Sequence, residues 1–123
     1  RHIELRLKDE ALTIRTAAVD AIAELNLRSS APKLVETLFD PINYRDGRAL
    51  WIAKHILKTL KDFHYQPAAP KLAELLELKD KDRTLQIQII ETLESITGLS
   101  FAKKPMNEQV YLWKRNTLSD VTF

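Results

Sequence analysis

Apolar side chains recur at three- and four-residue steps along most of the chain. From Leu12 through Ile14, Ala17, Ala18, Ala21 and Ile22 to Leu25 they trace one face of an amphipathic helix. A short polar link, 26–30, follows. In it Ser29 or Ser30 is placed to cap a second helix, and Pro32 falls in that helix's first turn, where a missing N–H costs nothing. The second helix presents Leu34, Val35, Leu38 and Phe39 and stops at Asp40-Pro41, because a residue before proline avoids helical geometry. A second pair repeats the plan. Its first helix is expected over about 47–63, with Leu50, Ile52, Ala53, Ile56, Leu57 and Leu60 inward, and its second over 67–78, again with proline at the start. The third pair opens near Asp82, carries Leu85, Ile87, Ile89, Ile90, Leu93 and Ile96, and ends at Gly98, a residue suited to the position just past a helix. A last helix over about 107–117 offers Val110, Tyr111 and Trp113, with Leu118 beyond it. Residues 1–8 read as the end of a preceding helix and 118–123 as a tail.

The recurrence reaches residue identity. Ala31-Pro32-Lys33-Leu34 returns as Ala69-Pro70-Lys71-Leu72, and Glu36 and Leu38 then match Glu74 and Leu76 in step. Upstream, Ala11-Leu12 matches Ala49-Leu50, and Ile14 matches Ile52. A second alignment sets Leu7-Lys8-Asp9 on Leu78-Lys79-Asp80, and Ile14, Ala18, Ile22 and Leu25 on Leu85, Ile89, Leu93 and Ile96. Two independent offsets thus define one unit. No such pair can bury its apolar stripe alone, so pairs must stack, and about three are needed for a stable array. An up-down four-helix bundle is the competing arrangement, and the return of Ala-Pro-Lys-Leu at helix starts favours stacking.

Composition narrows the classes without naming one. The 123 residues are one domain's worth, 45% apolar and 29% charged, as in a folded globular chain. Only two glycines and five prolines occur, too few turn-formers for a many-stranded β fold. With no cysteine, disulfides, thiolate nucleophiles and cysteine-based zinc sites are all excluded, which fits a reducing, cytoplasmic setting. No apolar run approaches the ~20 residues that span a bilayer, so no membrane partner is expected. The net charge of +2 permits an anionic partner and does not require one.

The residues resemble a known family. The run Ile14-Arg15-Thr16-Ala17-Ala18-Val19-Asp20-Ala21-Ile22-Ala23-Glu24-Leu25, followed by Ser30-Ala31-Pro32-Lys33-Leu34-Val35-Glu36-Thr37-Leu38-Phe39-Asp40, looks like the short HEAT-like repeat, the type also found in phycobilin lyases. That family favours an apolar-Arg pair, small alanines, then Ala-Pro-x-Leu and a closing Asp. Thr97-Gly98-Leu99-Ser100-Phe101 with Trp113 resembles the closing segment of such arrays. The likeness covers about 7–117. It implies an all-α fold, a right-handed α-α superhelix (solenoid) of about three HEAT-like helix pairs. The units fall at roughly 9–40, 47–79 and 82–117, and a start at Arg1 rather than Met suggests a piece of a longer array. Departures are visible. The Arg15 position becomes Ala53 and Gln86, so an Arg–Asp ladder between units is largely lost. Ala17-Ala18 becomes the bulkier His55-Ile56, and residues 40–46 are an insertion.

Catalytic chemistry finds little footing. His2, His55 and His64 have no metal spacing, and the His-Glu pairs of iron-binding HEAT-type hydroxylases are absent. No serine sits in a Gly-x-Ser-x-Gly elbow, and two glycines cannot build a phosphate loop. No catalytic residue, metal or cofactor is therefore expected. The resemblance points instead to a non-enzymatic scaffold that holds another protein on the concave face of its second helices. Lys33, Glu36 and Thr37, then Lys71, Glu74 and Glu77, are the expected exposed positions there, with Lys33 stacked beside Lys71 and Glu36 beside Glu74. The insertion adds Tyr44 and Arg45, residue types favoured at binding hot spots. Nucleic acid is the alternative partner, through Arg48, Lys54, Lys58 and Lys61 and through Lys103, Lys104, Lys114 and Arg115, with Trp51 and Trp113 as possible stacking platforms. A bilin-lyase-like activity is a third reading by kinship, with no residue marking a bilin contact.

Overall fold

A computed structural model describes residues 2–117 and is all-α apart from one small hairpin. Seven helices lie among the described residues: α1 (His2–Arg6), α2 (Leu12–Glu24), α3 (Ala31–Phe39), α4 (Ile52–Asp62), α5 (Ala69–Leu78), α6 (Arg83–Thr97) and α7 (Met106–Thr117). Between α3 and α4 run two short antiparallel strands, β1 (Tyr44–Arg45) and β2 (Arg48–Ala49). No described helix is long and apolar enough to cross a membrane.

The first helices of the pairs, α2, α4 and α6, pack side by side, and α5 packs on α7. Crosswise, α1, α3 and α5 each lie against the first helix of the next pair, α2, α4 and α6 respectively. The core runs continuously between these rows through Val19, Ile22, Leu34, Leu38, Ile52, Ile56, Leu60, Leu72, Leu76, Ile89 and Leu93. Each such aliphatic side chain contributes roughly 1.5–3 kcal/mol on full burial.

The turns inside the pairs repeat atom for atom. After α2, Asn26 takes a left-handed φ of 53°, and after α4, His64 takes 50°. Leu27 N–H then donates to Ile22 O at 2.9 Å, and Tyr65 N–H to the matching Leu60 O at 3.1 Å. Both close the helix end in the same way, satisfying carbonyls that would otherwise have no partner. A 3₁₀ turn follows in each case, Arg28–Ser30 and Gln66–Ala68, before the Ala-Pro-Lys-Leu helix begins. Arg28 links the two turns: its Nη1 donates to Phe63 O at 2.7 Å, and its guanidinium lies over the Phe63 ring. Gly98 closes α6 at φ 78°, as the sequence pattern predicts.

Three expectations need correction. Ser30 does not cap α3; its hydroxyl instead donates to Glu4 Oε2 at 2.6 Å, tying α1 to the link. The first helix of the second pair starts at Ile52, not near Gly47, because Asp46 and Gly47 both adopt positive φ, 54° and 80°, and turn the chain back as a hairpin. The inward face of α2 is also rotated from the one expected. Arg15, Thr16, Ala18, Val19 and Ile22 are buried, while Ile14, Ala17 and Leu25 stay open. The counterparts of Ile14 and Leu25 are buried: Ile52 at the start of α4 and Phe63 just past its end, and Leu85 and Ile96 in α6. Those counterparts face a preceding first helix; α2 has none among the described residues. Ile14, Ala17 and Ala21 consequently line an open groove of about 410 Å³ with His2, Ile3 and Arg6 of α1.

Candidate interaction surface on the second helices

Of the eight expected contact residues, α5 brings three to one place. Lys71 and Glu74 border a groove of about 370 Å³ whose walls include Pro70, Ala73, Lys114 and Thr117. Glu77 borders the neighbouring groove of about 470 Å³, with Asn107, Val110, Tyr111, Lys114 and Arg115. The two share Lys114, whose ammonium donates to Glu77 Oε1 at 2.6 Å and so bridges α7 to α5. Apolar floors of alanine, proline and valine under a charged rim are the usual make-up of a recognition surface. Lys71 also pairs with Glu74 at 3.7 Å and lies 5.8 Å from the Phe39 ring centroid, which places it against α3.

Lys33 and Glu36 pair on α3 at 3.6 Å and are exposed, but they open onto a different, shallow notch shared with Glu4 and Lys8 near α1. These i,i+3 pairs contribute tenths of a kcal/mol each and do not organise a site by themselves. Thr37 is not exposed, contrary to expectation. Only 6% of it is accessible, since its hydroxyl donates to Lys33 O at 2.7 Å and its own carbonyl accepts from Asn43 Nδ2 at 2.8 Å. A threonine whose hydroxyl is satisfied within its helix can be buried at little cost.

The hairpin pair separates. Tyr44 is packed rather than presented: its hydroxyl donates to Leu38 O at 2.6 Å, and Lys79 Nζ sits 4.0 Å above its ring. Burial, then the nearby Asp82 carboxylate, pushes its phenol well above the ordinary tyrosine range, so it stays a proton donor to that carbonyl. Arg45 remains exposed. The hairpin is fixed to α6 by Asp82, whose carboxylate accepts from Ala49 N at 2.8 Å and caps α6 by accepting from Leu85 N at 3.0 Å.

Arg115 stands among the basic residues expected to meet nucleic acid, and Tyr111 among the apolar positions of the last helix; both face solvent. Tyr111 keeps 60% of its surface open. The signal was present: Val110, Trp113 and Thr117 follow helical spacing on the inward side, which turns Tyr111 outward. The basic cluster at the chain's end divides too. Trp113 is fully buried and meets Phe101 edge-on at 4.8 Å, so it closes the core and offers no platform. His55 is half-buried, with Nδ1 2.8 Å from Asp20 Oδ1 across the α2–α4 contact. Among the described residues no group of three or more His, Cys, Asp or Glu side chains is placed to hold a metal ion. No family model, curated protein or solved structure matches this chain.

Proposed function

We propose that this chain is a non-enzymatic protein-binding scaffold, a right-handed α-solenoid of HEAT-like helix pairs whose partner rests on the side of the second helices. The reading is supported by the side-by-side packing of α2, α4 and α6 and by the matched turns after α2 and α4. Repeats of that kind place equivalent residues in register and leave one long surface per row. The observation that carries the functional half is Tyr111: a large aromatic left mostly open beside two adjoining grooves, with Arg115 on the same rim. Tyrosine and arginine are enriched among the few residues that carry most of the binding energy at interfaces. The contacts are Glu74, Glu77, Tyr111, Lys114 and Arg115 at the centre, with Lys71 toward α3 and Lys33 and Glu36 further along. A cysteine-free chain suits a cytoplasmic setting, which belongs to the same proposal.

The test is quantitative affinity capture with three forms of the chain. Tyr111→Ala combined with Glu74→Lys is expected to weaken partner retention roughly thirtyfold or more, the effect of losing a hot spot. Lys58→Glu, on α4 in the other row, is expected to leave it unchanged. Equal retention by all three, with helicity intact, would place the partner elsewhere.

A further inference from the structure

α4 is preceded by a tryptophan that the core does not use. Trp51 keeps 55% of its surface open. It stands at a groove of about 290 Å³ between the start of α4 and the start of α6, with Arg48, Lys54, Thr84 and Gln88 around it. The hairpin adds a second, independent feature: its register sets Arg45 directly opposite Arg48. Like charges facing across a strand pair repel and destabilise it. Neither arginine, nor Lys54, forms an ion pair among the described residues. The acid inside the groove, Asp82, has its two oxygens occupied by the N–H groups of Ala49 and Leu85. Asp46, in the turn, is paired with neither arginine. Arg45, Arg48 and Lys54 set three positive charges against the two of Asp46 and Asp82, so the patch is net positive by one. An unpaired arginine pair beside an open indole asks for a ligand that brings negative charge and a flat ring together.

We propose that this groove binds single-stranded nucleic acid, with a base stacked on the Trp51 indole and the flanking phosphates on Arg45, Arg48 and Lys54. Stacking suits any base, since each has a π face, and guanidinium groups neutralise phosphate along the strand. Thr84 and Gln88 supply hydrogen-bonding groups at the base edge. An acidic peptide would answer the arginines and leave the indole unmatched. A duplex would answer the charges and keep its bases out of reach. The groove shares no residue with those between α5 and α7, so this site stands apart from the protein-binding face.

The experiment is a titration of the full chain with unlabelled oligothymidylate of about ten nucleotides, read by tryptophan fluorescence at low and moderate salt. Because Trp113 is fully buried, the change reports on Trp51. Saturable quenching that weakens with salt is expected. Trp51→Ala should lower affinity roughly tenfold or more, measured with a labelled strand, and Trp51→Phe should recover part of it. Arg45→Glu with Arg48→Glu should reduce both affinity and its salt dependence. Trp51 is exposed, so its replacement should leave the thermal midpoint in place and a lost signal cannot be blamed on unfolding. Absence of quenching at low salt would overturn the proposal, as would unchanged affinity in Trp51→Ala. So would equal competition by polyglutamate, or tighter binding of a duplex of the same length.

Discussion

Arg15→Ala should lower the stability of the chain by about 3–5 kcal/mol, although among the described residues no carboxylate pairs with this arginine. The side chain is 2% accessible, and its donors are spent on backbone and amide oxygens. Nε donates to Asn43 Oδ1 at 2.9 Å, Nη1 to Asp9 O and Glu10 O at 2.9 Å each, and Nη2 more weakly to Ile42 O at 3.4 Å. One guanidinium thus joins the segment before α2 to the segment after α3, and Asn43 carries the link onward to Thr37 O. Truncation leaves the buried Asn43 Oδ1 and three part-buried carbonyls without this donor, and a cavity where the stem lay. Urea unfolding should show a lower midpoint with an unchanged slope. Arg15→Lys should rescue little, because a single ammonium cannot reach acceptors arranged for a planar fork.

Trp113→Ala should cost a similar ~3–5 kcal/mol, by a different route. Its ring is fully buried and packs edge-on against Phe101, closing the core where α7 meets the segment after α6. Among the described residues its indole N–H has no hydrogen-bond partner. The ring is therefore held by packing, and the unpaired donor is a cost it overcomes. Trp113→Phe should for that reason lose much less than Trp113→Ala, since it keeps most of the apolar volume and removes the orphan donor. Thermal melts of the two variants check the order. Loss of the blue-shifted emission component in both assigns that component to Trp113, leaving the exposed Trp51 signal.

The helix pairs were legible because their signals are local. Asp40-Pro41 stops α3, Gly98 closes α6, and the two Ala-Pro-Lys-Leu runs open α3 and α5, each by backbone geometry that needs no distant residue. The hairpin was equally local and was missed. Asp46-Gly47 is a turn signal in its own right, but two-residue strands on either side are too short to show alternation, so 40–46 reads as an inserted loop and 47 onward as helix. Arg15 was beyond local reasoning: it looks like a solvated helix charge until Asn43 and two loop carbonyls are brought to it from elsewhere. At the equivalent position Gln86 plays a smaller version of the same part, donating from Nε2 to Leu76 O at 3.0 Å. Ala53, at the same position in α4, carries no such donor, so the device serves the first and third pairs and not the second.

The surface was only partly legible, for a related reason. Periodicity says which positions point away from the core of a pair, and it placed Lys71, Glu74 and Glu77 correctly outside. It does not say which exposed positions from different helices meet. Lys114 reaching Glu77 joins α7 to α5, and Lys71 approaching Phe39 joins α5 to α3, contacts between residues far apart in the chain. Thr37 failed because a hydroxyl can serve its own helix, so a polar residue in the pattern is not always a surface residue.

Site-specific photo-crosslinking in cells tests the proposed partner-binding face most directly. A photoreactive side chain placed in turn at Glu74, Tyr111, Lys58 and Glu91 samples both rows of helices. A discrete protein adduct is predicted from Glu74 and Tyr111 and none from Lys58 or Glu91. Adducts of equal yield from all four, or from Lys58 and Glu91 alone, would contradict the assignment of the partner to the second helices.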